Sequence, residues 1–191
     1  ENDQALRAAT ERWADELAPG AEGWLGATFG VTDDGVFIGV VRFDSEESAR
    51  RNSERPEQGA WWRETEQLLS RGATFHDYTD ITTMLRGGSD DAGFVQVLQG
   101  RVSDRDRMVE LTDRAGSVLA SERPEIIGGT LAVGPDGGFT ETVAFTTEDA
   151  ARDGERRQLS RAGEELMSEL NALIESVTYL DLHRPWFASP R

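Results

Sequence analysis

Cysteine is absent from the 191 residues, which excludes a disulfide scaffold, a thiolate metal cluster and a cysteine nucleophile. Lysine is absent as well, so all 20 basic residues are arginine. That removes Schiff-base chemistry and a lysine-bearing phosphate loop. Histidine occurs only at His76 and His183, too few to supply the His and carboxylate spacings of a metal site. Positive charge is in deficit too: 36 acidic residues leave a net charge of −16. Clustered cations are what phosphate and anionic lipid require, so no nucleic acid and no membrane are expected as partners. No apolar run approaches the roughly 20 residues of a membrane span, and no charged-then-apolar leader is visible. An arginine-only basic set suits a GC-rich genome or a salt-adapted source, and the expectation is a cytoplasmic protein.

What is present is core material, at 37% hydrophobic residues, and an internal repeat. Residues 24–50 read WLGATFGVTDDGVFIGVVRFDSEESAR, and residues 126–152 read IIGGTLAVGPDGGFTETVAFTTEDAAR. The offset is 102 without a gap, and 11 of the 25 pairs from Gly26/Gly128 to Arg50/Arg152 are identical. A duplication lets each half be read once and checked against the other. Leu6, Ala9, Trp13 and Leu17 share a helical face over 2–17, and Pro19-Gly20 ends it. Segments 24–31 and 36–43 read as strands joined by Asp34-Gly35, a turn that Asp136-Gly137 repeats. Helical pattern follows to about Ser70, broken near Pro56, and then Ala73–Ile81 alternates like a strand. The second half gives strand 93–102, helix 104–120, strands 126–133 and 138–145, helical region 147–174 and strand 176–182.

The order strand, helix, strand, strand, helix, strand is that of a ferredoxin-like split βαβ unit. The expected fold class is therefore α+β: a first unit over 1–85, a linker over 86–92, and a second unit with a C-terminal tail over 93–191. By the same offset, the first strand of the first unit would precede residue 1. That unit is expected to lack it, or about ten residues to be missing from the sequence. In strand 36–43, Phe37, Val41 and Phe43 alternate with Ile38, Val40 and Arg42, so both faces call for burial. Packing the two sheets face to face as an intramolecular α/β barrel would answer that.

The repeated GWLGATFGVTDDGVFIGVVRFDSEESAR pattern and this element order resemble the dimeric α/β-barrel superfamily. The likeness is to its antibiotic-biosynthesis-monooxygenase-like group, and to tandem-repeat actinobacterial members. The resemblance implies the fold over nearly the whole chain. It implies no single chemistry, because the superfamily spans cofactor-free oxygenases of polyketide anthrones, haem-degrading enzymes, isomerases and members without known activity. The haem-degrading branch relies on a helix-borne His. Here His76 falls in an expected strand and His183 in the tail, so no cofactor is expected.

Asymmetry between the repeats supplies the site candidates. Asn52, Trp61, Trp62, His76 and Tyr78 stand opposite Gly154, Gly163, Glu164, Thr178 and Leu180. Large aromatics with polar tips line small-molecule pockets. Trp61, Trp62 and Arg42 are the ligand-binding candidates, and His76, Tyr78 and Asn52 the weaker catalytic ones. Core and rim packing of Trp61 and Trp62 is the structural alternative, and Arg42 with Asp80 reads first as a buried or semi-buried ion pair and only second as a substrate clamp. Gln96 and Gln99 should face opposite sides of their strand. The functional expectation is binding of a small hydrophobic or aromatic ligand without established turnover. The alternative is a cofactor-independent monooxygenase-like enzyme for an aromatic or polyketide-like substrate. The oligomeric state stays open.

Overall fold

The computed structural model describes residues 2–85, 87–88 and 90–190. Arg86 and Ser89, inside the expected linker, lie outside the described residues. In chain order the elements are α1 (Asn2–Glu16), β1 (Trp24–Val31), β2 (Phe37–Phe43), α2 (Glu46–Ser53), α3 (Pro56–Glu66) and β3 (Ile81–Met84). They continue with β4 (Phe94–Val102), α4 (Arg105–Glu122), β5 (Ile126–Val133), β6 (Gly138–Phe145), α5 (Glu148–Glu155), α6 (Arg161–Leu173), β7 (Ile174–Leu182) and β8 (Trp186–Ala188).

The repeat is visible in its local chemistry. Gly35 and Gly137 take φ of 82° and 83° at matched hairpin turns, a backbone that only glycine adopts freely. Ser45 and Thr147, also matched, accept the backbone N–H of Ser48 and Ala150 and so cap α2 and α5. Arg55 and Arg157 form a third pair. Arg55 reaches the Leu17 carbonyl and Asn52 Oδ1, and Arg157 reaches the Glu122 carbonyl and Glu125 Oε2. Each arginine thus satisfies a carbonyl at the end of the first helix of its own repeat.

By packing, the chain divides into unit 1 (Glu1–Val31, Phe37–Asp77, Trp186–Arg191) and unit 2 (Thr32–Val36, Tyr78–Pro185). Unit 2 contains an antiparallel sheet ordered β3-β5-β6-β4-β7. Its last four strands reproduce the ferredoxin-like arrangement, in which the first and third strands of the repeat are neighbours. Leu131, Val133 and Phe139 project from one face and meet Met108, Leu111, Ala115, Leu166 and Leu170 of α4 and α6. Each such fully buried side chain contributes roughly 1.5–3 kcal/mol. The opposite face carries Val95 and Val97, buried as well, as the two-sided hydrophobicity requires.

Unit 1 contains a three-stranded sheet ordered β2-β1-β8. Ala27, Phe29, Val31 and Phe37 pack with Trp13, Trp24, Trp61 and Trp186 on its helix side. The two halves are tandem ferredoxin-like units, the first incomplete. Only two of its strands come from the first half of the sequence; the third, β8, is the C-terminal tail. The expected three strands of its own are thus two. The tail covers the far edge of β1, while β2 has no neighbour on its other side among the described strands.

The strand expected over 73–81 is not formed; residues 73–79 run as exposed irregular chain and β3 begins at Ile81. The physical reason lies in the topology. Its counterpart β7 pairs only with β4, and the first half offers no described equivalent of β4. Instead β3 pairs with β5, while β8 pairs with β1. Each half therefore lends its terminal strand to the sheet founded by the other. The registers correspond: Ala27 faces Ala188, and its match Gly129 faces Met84.

Candidate functional site

Four of the five tryptophans meet in unit 1, and Trp62 adjoins them. Trp13 packs edge-on against Trp24 with centroids 5.1 Å apart, and lies 6.4 Å from Trp61. Trp186 lies 6.1 Å from Phe29 and 6.2 Å from Phe37, near parallel to both. Indole N–H groups fix the arrangement: Trp13 donates to Gln58 Oε1, Trp61 to the Ala9 carbonyl and Trp186 to Thr10 Oγ1. Trp62 follows Trp61 on α3 and points along its outer side. Its ring is 6.1 Å from Trp61 and meets Phe75 edge-on at 5.2 Å. Phe75 is 67% exposed.

The other sequence candidates do not converge on this cluster. Arg42 alternates with Val41 and Phe43, so it leaves the face of β2 opposite to the one that packs against Trp61. Asn52 is buried, with its oxygen occupied by Arg55 at 2.9 Å. Its counterpart Gly154 is small because Glu125 fills the space: a Cβ there would meet Glu125 Oε1 at 1.8 Å. His76 is exposed on the irregular segment, one residue from Phe75. Tyr78 belongs to unit 2, where its hydroxyl accepts from Thr140 Oγ1 at 3.2 Å. Asp80, read as a partner for Arg42, is ion-paired with Arg105.

Gln96 and Gln99 do face opposite sides. Gln99 donates to Thr140 Oγ1 at 3.3 Å, while Gln96, on the helix side, donates to Asp181 Oδ1 at 2.8 Å. From Asp181 a polar chain runs through Arg152 to Glu148 and His183. His183 Nδ1 is 2.6 Å from Glu148 and Nε2 is 3.4 Å from Asp33. The hydrogen bond to Glu148 raises the imidazole pKa above its usual value, against the lowering effect of burial. The His183 ring and the Arg152 guanidinium both lie over Phe94, at 5.7 and 5.2 Å from its centroid.

One residue beside this chain was passed over by the comparison of aromatics. Glu141 stands in β6 in phase with Phe139, Val143 and Phe145, the helix-facing side. Its cross-strand neighbours are Leu98 on β4 and Leu131 on β5, and these flank it on the same face at about 5 Å. Gln96 is its diagonal neighbour, and Tyr179, 58% exposed, flanks the far side of Leu98. Burial among these groups pushes the Glu141 carboxyl up to about 7. The sequence signal was an acidic residue at an apolar phase of an alternating strand.

Two open concavities, about 390 and 480 Å³, border Arg105 in unit 2; Ile81 and Val109 line the first, Ser103 and Pro135 the second. None of the sequence candidates lines either one. Among the described residues no cluster of His and carboxylates could hold a metal ion, and no helix is long and apolar enough to cross a membrane.

Neither a protein-family model nor a curated protein matches the chain. Solved structures do. A presumed monooxygenase from Lactobacillus acidophilus NCFM superposes with a TM-score of 0.73 at 16% identity, over 98% of this chain and 90% of that one. A presumed monooxygenase from Fusobacterium nucleatum gives 0.71 at 10% identity, over 99% and 88%. A protein described as anthrone oxidase-like gives 0.69 at 12% identity, over 99% and 87%. At these identities the likeness is one of fold. The chain shares the fold of these three proteins over nearly its whole length, with two ferredoxin-like units in tandem.

Proposed function

We propose that this chain binds a small hydrophobic or aromatic molecule, without turnover, on the surface formed by Trp61, Trp62 and Phe75. One observation carries the reading: the Trp62–Phe75 contact holds a large aromatic edge in solvent. The matched positions in the second repeat are Glu164 and Val177, so the fold itself does not demand aromatics there. Exposing such surface is unfavourable unless a ligand covers it. Arg42, on the opposite face of its strand, is not part of this surface.

A tricyclic hydroxyanthrone is a suitable probe. It should raise the melting midpoint, as any ligand of the folded state does, and quench tryptophan fluorescence, since all five tryptophans belong to unit 1. Trp62→Ala should weaken binding about tenfold or more, by analogy with the 1–3 kcal/mol of an aromatic stack. Thr178→Ala, at the position matched to His76, should leave it unchanged. Binding that survives Trp62→Ala intact excludes this surface.

The second reading is a cofactor-independent oxygenase, favoured by the names borne by the full-length structural neighbours. The protein would remove a proton from the hydroxyanthrone methylene, and O₂ would convert that carbon to a carbonyl with release of water. Of the catalytic candidates, Asn52 is held by Arg55 and Tyr78 by Thr140. That leaves His76, beside Phe75, as the base. Oxygen uptake with the hydroxyanthrone, abolished by His76→Ala, supports turnover. Binding without oxygen uptake supports the first reading.

A further inference from the structure

We propose that the free edge of β2 is a strand-addition site: it takes one extended segment of a second polypeptide, patterned like β4, and residues 73–77 then pair with the far side of that segment. In unit 2, β4 lies between β6 and β7. The matches of these two neighbours, β2 and residues 73–77, both belong to unit 1. Among the described strands β2 pairs only with β1, and 73–77 pairs with none. Exposure follows this gap. Val41 is 49% exposed where its match Val143 is half-buried, and Phe75 is 67% exposed where its match Val177 packs on the helix-side core. In unit 2 it is β4 that flanks both valines, through Gln96 and Gly100.

The edge itself is unguarded. Edge strands are normally kept from pairing by shortness, charge or proline. Of the other described edges, β3 has four residues, β8 has three, and β7 carries Glu175 and Asp181. β2 presents seven residues, FIGVVRF, with Arg42 its single charge and no proline. Unit 1 already closes its other edge with a borrowed strand, β8. The β4–β6 register, carried over by the repeat, specifies the occupant: it sets Phe94, Val97 and Leu98 of a β4-like segment against Phe43, Val40 and Gly39. The partner is thus a run of about eight extended residues, apolar on both faces, bound by backbone hydrogen bonds and selected by side-chain phase. Val177 faces the helices from β7, so a paired Phe75 stays on the side of Trp62 and the small-molecule surface there is retained.

The test adds a synthetic peptide with the sequence of residues 94–102, FVQVLQGRV, to the full chain, beside a scrambled peptide of the same composition. Binding is followed by backbone amide NMR and hydrogen exchange. The β4 peptide should bind about tenfold or more tightly than the scrambled one. It should shift the amides of 37–43 and slow their exchange and that of 73–77. Methylating alternate backbone nitrogens of the peptide removes the hydrogen bonds on one of its two sides. One phase of methylation should abolish binding, and the other should leave binding but no longer order 73–77. Equal binding of the scrambled peptide, or shifts confined to β6 and β7 through exchange with β4 itself, would overturn the proposal. So would amides of 37–43 already protected in a concentration-dependent dimer, since a second copy would then hold the edge. Binding of the unmodified peptide that leaves 73–77 irregular would overturn the two-sided placement.

Discussion

Glu141 illustrates what a single carboxyl costs when its neighbours are leucine, phenylalanine and valine. Its ordinary value of 4.5 is raised to about 7 by burial, so the neutral acid is the form the folded chain prefers. The unfolded chain ionises first, so the folded state loses stability as pH rises from the ordinary value towards 7. Glu141→Leu should therefore raise the midpoint of urea unfolding clearly at pH 8 and hardly at all at pH 4.5. An unchanged midpoint at pH 8 would show the carboxylate to be solvated. Such residues are legible in a sequence only through phase. Glu141 betrays itself by sharing the phase of Phe139, Val143 and Phe145, whereas Asn52 gave no sign that Arg55 would occupy its oxygen. The side chosen by Arg42 followed from the same alternation. Its separation from Trp61 was thus readable once the helix-facing side of β2 was known.

At the level of elements, the exchange of β3 and β8 makes each sheet depend on a segment distant in sequence. Trp186 shows how strongly. It is 8% exposed, donates to Thr10 and packs against both Phe29 and Phe37, which also touch each other, although 157 residues separate it from Phe29. Trp186→Ala should destabilise unit 1 by about 3–5 kcal/mol, as large core truncations do. Melting followed by tryptophan fluorescence should show this directly, because the remaining tryptophans all report on unit 1. A loss below about 1 kcal/mol would mean that β8 is dispensable to the sheet. Most elements could be read beforehand because their signals are local: the Asp-Gly turns, the apolar face of α1 and the alternation of the hairpin strands. The segment 73–79 could not. Its alternation is genuine, but a strand also needs an edge to pair with, and that partner is a property of the whole sheet.

For the molecule as a whole, these local titrations add to one pH profile with a predictable sign. Asp44, Glu47, Glu122 and Asp136 are held below their usual values, mainly by Ser48, by Arg50, by Ser160 and by the Gly138 N–H respectively. Their contribution is present above the ordinary carboxylate range and is lost as pH falls through the lowered values. Two groups of unit 2 act in the opposite direction. His183 is raised, chiefly by Glu148, so its contribution is complete below about 6.5 and disappears as pH climbs through the raised value. Glu141 withdraws stability progressively between 4.5 and about 7. The net charge of −16 adds self-repulsion that also grows with pH. The chain should therefore be most stable near pH 5, and its melting midpoint should fall steadily towards pH 8. Two mechanisms share that descending limb, and salt separates them. Raising ionic strength to about 0.5 M screens the diffuse repulsion but not the buried carboxyl or the short His183–Glu148 contact. The slope that remains at high salt should vanish in the double variant Glu141→Leu/His183→Gln, with the acid limb unaltered. A slope that salt alone removes would assign the pH dependence to net charge and leave His183 and Glu141 without a part in it.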